Sequence, residues 1–157
     1  WGGREGPMRI LIIQQKMIGD VLTSSILFEA LRNKYPDAEL NYLIQPHTLA
    51  AVENNPFIDR IVLFDPEKYK GFSGLLNFSH EVRAQSYDIV IDVYAKINSA
   101  IITAISGAKT RISYNKWYTS SAYTKTFQLS KEHLTNAGIA IENRMLLLLG
   151  IDRGFPV

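Results

Sequence analysis

Apolar residues along the chain fall into two alternating patterns. The first is a set of short runs: Arg9-Ile-Leu-Ile-Ile13, Glu39-Leu-Asn-Tyr-Leu-Ile44, Arg60-Ile-Val-Leu-Phe64, Asp88-Ile-Val-Ile-Asp92 and Thr110-Arg-Ile-Ser113. Each is too short for a helix, and branched apolar residues without regular polar alternation suit strands buried on both faces of a parallel sheet. The second pattern has helical spacing. From Asp20 to about Tyr35, Val21, Leu22, Ile26, Leu27, Phe28 and Leu31 cover most of a helix, and Ser25, Glu29 and Arg32 leave one narrow polar stripe. Pro36 cannot continue that helix. Thr48–Asn54, Phe72–Ser86 and Asn98–Ser106 read as further helices, and His133–Leu149 as a last one closed by Gly150. Residues 114–131, rich in Tyr, Thr and Ser, read as irregular. Strands alternating with helices predict the α/β class: an open parallel sheet with helices on both faces.

A length of 157 residues suits one domain with its own core. The absence of Cys excludes a disulfide scaffold and fits a reducing, cytoplasmic setting. No apolar run reaches the roughly 18 residues of a membrane-spanning helix. Trp1–Pro7 lacks periodicity and is expected to be a leader before Met8, so the domain is expected over 8–150. Residues 151–157 read as the start of an interdomain linker.

Charge changes this picture. The formal net charge is only +2, yet residues 1–93 carry 9 Lys/Arg against 12 Asp/Glu, and residues 94–157 carry 8 against 3. Lys96, Lys109, Arg111, Lys116, Lys125 and Lys131 come with no acid among them. They form either a solvated basic edge or the contact surface for an anionic partner. Within Lys109–Lys131 the charges interleave with Tyr114, Trp117, Tyr118, Tyr123 and Phe127. Such a segment suits an anionic partner or a membrane surface, and equally a loop packed on the core.

Open parallel sheets bind ligands outside the carboxyl ends of their strands, so the loops after strands one and four are where chemistry is expected. The first loop lacks both the Gly-x-Gly-x-x-Gly dinucleotide fingerprint and the Walker loop. His47, His80 and His133 lack metal-ligand spacing, and no Gly-x-Ser-x-Gly nucleophile elbow occurs. Asp20 is the residue of interest there. It is either a helix N-cap or a carboxylate at the ligand edge able to accept a proton. Lys16 and Lys96 are surface lysines or anion contacts, and Arg111, expected just past its strand, is an anion contact or an ordinary ion pair.

Met-Arg-Ile-Leu-Ile-Ile13, Ile-Gly-Asp-Val-Leu22 and Leu-Arg-Asn-Lys-Tyr-Pro36 together resemble the opening of the ADP-heptose:lipopolysaccharide heptosyltransferases. Asn-Asn-Pro-Phe-Ile-Asp-Arg60, Tyr-Asp-Ile-Val-Ile-Asp92 and Ser-Gly-Ala-Lys-Thr-Arg111 are similar to that family too, in the same order. The resemblance implies a Rossmann-like domain, one half of a two-domain GT-B glycosyltransferase. It implies that this half binds the lipopolysaccharide inner-core acceptor, and that a carboxyl-terminal half binds the ADP-heptose donor. Transfer inverts the anomeric carbon, with no bound metal or other cofactor required and no nucleic-acid partner. Asp20 then becomes the general base, with Gly19, Lys16, Lys96 and Arg111 around the acceptor, at the cytoplasmic face of the inner membrane. The chain departs from the family pattern at Gln14 and Asn98, where basic residues are common, and at Ile26, where Pro is common. The alternative is a stand-alone, non-catalytic α/β module that docks an anionic partner through its basic edge.

Overall fold

The computed structural model describes residues 7–15, 18–114 and 120–127. Six parallel strands form one sheet: β1 (Arg9–Ile13), β2 (Glu39–Ile44), β3 (Arg60–Leu63), β4 (Ile89–Asp92), β5 (Thr110–Tyr114) and β6 (Lys125–Phe127). Their spatial order is β3-β2-β1-β4-β5-β6. The helices are α1 (Ile18–Ser24), α2 (Ile26–Lys34), α3 (Leu49–Val52), α4 (Gly71–Ala84) and α5 (Ile97–Ile105). The class expected from the apolar pattern is therefore the one observed.

Strand pleating sorts the apolar runs into two cores. Ile10, Ile12, Leu40, Tyr42, Ile89 and Ile91 pack with Leu27, Phe28 and Leu31 of α2. Leu11, Ile13, Leu43 and Val90 pack on the opposite face with Leu75, Phe78 and Val82 of α4 and Ile102 of α5. Burial on both faces is why these strands carry so little polar alternation.

Three features differ from the sequence expectations. The helix expected over residues 20–35 is two helices with a turn at Ser25. The Ser25 hydroxyl donates to the Leu22 carbonyl at 2.6 Å, and the Phe28 N–H reaches Ser25 O at 3.1 Å, a bond that tightens the turn. A serine side chain that bonds back to the preceding turn weakens and bends a helix in this way. Second, α1 begins at Ile18, so Asp20 lies inside its first turn rather than capping it. Third, residues 125–127 inside the stretch expected to be irregular form β6 on the β5 edge. The helix expected over 133–149, most of the leader 1–7, the 151–157 segment and Lys16 lie outside the described residues.

Candidate functional site

The chain leaves β1 toward β2 and leaves β4 toward β5, so the order reverses between these two neighbouring strands. A crevice at the carboxyl ends of the strands is the expected result of such a reversal. Two bonds knit the loops there. Val93 and Tyr94 N–H both donate to Ile13 O, at 3.0 and 3.2 Å. The segment after β4 is therefore held against the end of β1.

Gln14 and Gln15 follow β1 and are buried. The Gln14 amide donates to the Ser24 Oγ at 3.1 Å, tying the end of β1 to the end of α1. Gln15 Nε2 is buried without a hydrogen-bond partner. Next come Gly19 and Asp20. Gly19 is exposed with open space around its Cα, and Asp20 is half-buried. A carboxylate in a first turn is favoured by the exposed N–H groups of that turn. α1 is itself anchored from below, since the Tyr42 hydroxyl donates to Val21 O at 2.8 Å inside the core.

Across the crevice, the loop after β4 carries Tyr94, Ala95 and Lys96. Lys96 is exposed and caps α5 through its backbone, its N–H donating to the Ser99 Oγ at 3.0 Å. Tyr94, Lys96, Ile97 and Asn98 line a shallow cavity of about 320 Å³. The exposed large apolar side chains among the described residues are Ile18, Leu22, Leu63, Phe72 and Ile97. They sit on α1, at the end of β3 and at the starts of α4 and α5, all elements that meet this edge of the sheet.

Gly19, Asp20 and Lys96 thus share the carboxyl edge, whereas Arg111 does not join them. It is the second residue of β5 rather than a residue past the strand, paired in register with Val90. Its guanidinium is taken up by two backbone carbonyls at 2.8 Å, Ala122 O from Nε and Ala108 O from Nη1. Those bonds hold it toward the start of the strand and fasten the 120–124 segment to the sheet. Within the basic, aromatic segment, the Tyr114 and Tyr123 rings are buried, and the Trp117 and Tyr118 positions lie outside the described residues.

Sequence reading missed Asp92. It ends β4 at the crevice, fully buried, and burial pushes its carboxyl up from the ordinary carboxylate range against the pull of several donors. Tyr123 O–H donates to Oδ2 at 2.6 Å and Ala95 N–H to Oδ1 at 2.9 Å. The available signal was its position, an acid as the last residue of the strand at the order reversal. Among the described residues no cluster of His, Asp or Glu could hold a metal ion, and no helix is long and apolar enough to cross a membrane.

No family model matches the chain. Among solved structures, the fold is that of a glycosyl transferase family 9 protein from Veillonella parvula, with a TM-score of 0.78, 23% identity, and coverage of 92% of this chain and 42% of that one. Escherichia coli heptosyltransferase WaaC with ADP superposes with a TM-score of 0.72 at 16% identity, over 90% of this chain and 48% of that one.

Curated proteins similar to this chain include lipopolysaccharide heptosyltransferases. Lipopolysaccharide heptosyltransferase 3 of Escherichia coli is 27% identical over 141 residues, which are 85% of this chain and 41% of the relative. The chain therefore spans less than half the length of each of these proteins.

Proposed function

We propose that this chain is the acceptor-binding half of an inverting heptosyltransferase that moves heptose from ADP-heptose to the inner core of lipopolysaccharide. The observation that carries the reading is the placement of Gly19-Asp20 at the carboxyl edge beside the sheet reversal, in a chain whose relatives are heptosyltransferases. Residues 8–150 form the acceptor domain in this reading, and 151–157 lead toward a donor-binding half.

The acceptor hydroxyl lies against Asp20. Its proton passes to the Asp20 carboxylate as the oxygen attacks the anomeric carbon from the face opposite ADP. The new C–O bond forms, the bond to the diphosphate breaks, ADP leaves, and the configuration inverts. A carboxylate within hydrogen-bond reach of the attacking oxygen is what such a step needs. Gly19 leaves open space for the acceptor beside that carboxylate. Lys96 supplies positive charge for acidic groups of the acceptor, and Lys16, just after β1 in sequence, is assigned the same role. Arg111 is left out of this set because its donors are engaged with Ala108 and Ala122. Exposed Ile18, Leu22 and Ile97 suit a rim that meets the acceptor's carrier at the inner-membrane face or the donor half.

The test is direct. The full-length protein is given ADP-heptose and heptose-free core lipopolysaccharide, and the acceptor is weighed by mass spectrometry. One added heptosyl residue per ADP released is expected. ADP release without a heavier acceptor, or no reaction, would contradict the proposal.

A further inference from the structure

The turn that carries Lys96 is built in a conformation its own sequence disfavours. Ala95 is buried with φ at 56°, in the left-handed region where a Cβ is penalised. Two groups hold it there. The Ala95 N–H is captured by Asp92 Oδ1 at 2.9 Å, and the second oxygen of the same carboxylate is held by the Tyr123 hydroxyl at 2.6 Å. Further bonds brace the clamp. Ser113 Oγ donates to Asp92 O at 2.7 Å, and Tyr94 N–H donates to Ile13 O at 3.2 Å. On the far side, the Lys96 N–H is bound by Ser99 Oγ at 3.0 Å, which starts α5 immediately after the strained residue. A strained residue persists only where its surroundings over-determine it, and such residues gather at functional edges.

We infer that Asp92 is a positioning residue: with Tyr123 it clamps Ala95 in the left-handed turn and so sets where Tyr94 and Lys96 stand at the crevice. The inference rests on the acceptor-binding reading for its functional consequence, but the clamp itself is a statement about the turn alone. Asp92 is fully buried and acts through the turn. Tyr123, which belongs to the segment leading into β6, ties the outer edge of the sheet to the crevice through this one carboxylate. The sixth strand thereby acquires a role at the site it does not line.

The experiment uses the full-length protein with four variants: Asp92→Ala, Tyr123→Phe, Ala95→Gly and the double variant Asp92→Ala/Ala95→Gly. Left-handed backbone costs a non-glycine residue about 1–2 kcal/mol, a factor of roughly 5–30 in population. Removing the clamp by Asp92→Ala should therefore raise the acceptor KM about 5–30-fold and leave kcat within about threefold, the signature of lost binding rather than lost chemistry. Glycine takes the left-handed conformation freely. Ala95→Gly in the Asp92→Ala background should recover most of the KM, a non-additivity that a merely structural aspartate would not show.

Amide hydrogen exchange gives a readout independent of activity. Tyr123→Phe should speed exchange at Ala95 and Lys96 at least about tenfold while the β1 and β4 amides stay protected. Additive KM effects with no rescue by Ala95→Gly, or unchanged Ala95 exchange in Tyr123→Phe, would overturn the clamp. A protein without transferase activity whose Ala95 exchange still responds to Tyr123→Phe would refute the acceptor reading and leave the clamp standing.

Discussion

Replacing Tyr42 with Phe tests how the fold holds the helix that presents Asp20. Tyr42 is fully buried in β2, and its hydroxyl donates to Val21 O at 2.8 Å. α1 has only seven residues, and Val21 and Ser24 are its buried side chains among those described, so this bond is one of the ties that fasten it to the sheet. Tyr42→Phe removes one hydroxyl and keeps the ring, whose centroid lies 4.8 Å from that of Phe28. The Val21 carbonyl is not orphaned, because the Ser25 N–H also reaches it at 3.1 Å. The cost is then that of one net hydrogen bond, about 1 kcal/mol, without the larger penalty of a stranded buried acceptor. For a domain of this size that shifts Tm down by about 2–4 °C. Calorimetric melting of wild-type and variant protein at one pH and salt concentration reads it. An unchanged Tm would mean that the bond adds nothing to the folded state. A fall beyond about 8 °C would mean that the ring, not the hydroxyl, had been displaced.

Other outcomes follow from the same geometry. A Cβ at Gly74 would collide with the Tyr69 backbone, so Gly74→Ala should destabilise by about 1–3 kcal/mol by chemical denaturation, despite alanine's better helix propensity. Burial alone would raise the Glu39 pKa, but hydrogen bonds from Arg9 and Asn41 and the Arg9 charge outweigh it and hold the carboxyl below its ordinary range. Its contribution to stability is therefore present above the usual glutamate value of about 4.3 and is lost as the pH falls through the lower folded value. Glu39→Gln should narrow the stability gap between pH 7 and pH 3 relative to wild type, as read by urea midpoints. Calorimetric titration of ADP into the 157-residue chain should show no tight binding, since the donor is assigned to the other half; tight binding would place the donor site here.

Much of this architecture was legible from composition along the chain, for a physical reason. Ile10 to Ile13 and Ile89 to Ile91 are buried on both faces, so the strand and its burial speak with one voice. Strand–helix alternation also pointed to the loops after strands one and four, where Asp20 and Lys96 stand, but the order reversal between β1 and β4 came only with the structure. What escaped depends on tertiary partners. Lys125–Phe127 is three residues long, and pairing with β5 is what makes it a strand. The break at Ser25 comes from one hydroxyl bonding back to Leu22. Arg111 was expected just past its strand; it is instead the second residue of β5, and the carbonyls of Ala108 and Ala122 take up its guanidinium. Asp88 and Asp92 bracket the same run and look alike in sequence. Asp88 accepts the Arg9 N–H at the opening edge of the sheet, while Asp92 lies buried at the crevice, clasped by Tyr123 from 31 residues away.

The central claim, that Asp20 takes the proton from an acceptor hydroxyl in a heptosyl transfer, is tested most directly by the turnover of full-length Asp20→Asn at saturating ADP-heptose and lipopolysaccharide acceptor. Asparagine keeps the shape, and losing a charge from the first turn of α1 costs only about 0.3–1 kcal/mol, so the variant should fold and bind donor as the wild type does. Its kcat should fall by about 10²–10⁴-fold, the contribution of a general base. Turnover within a few-fold of wild type in a folded, donor-binding variant would contradict the account.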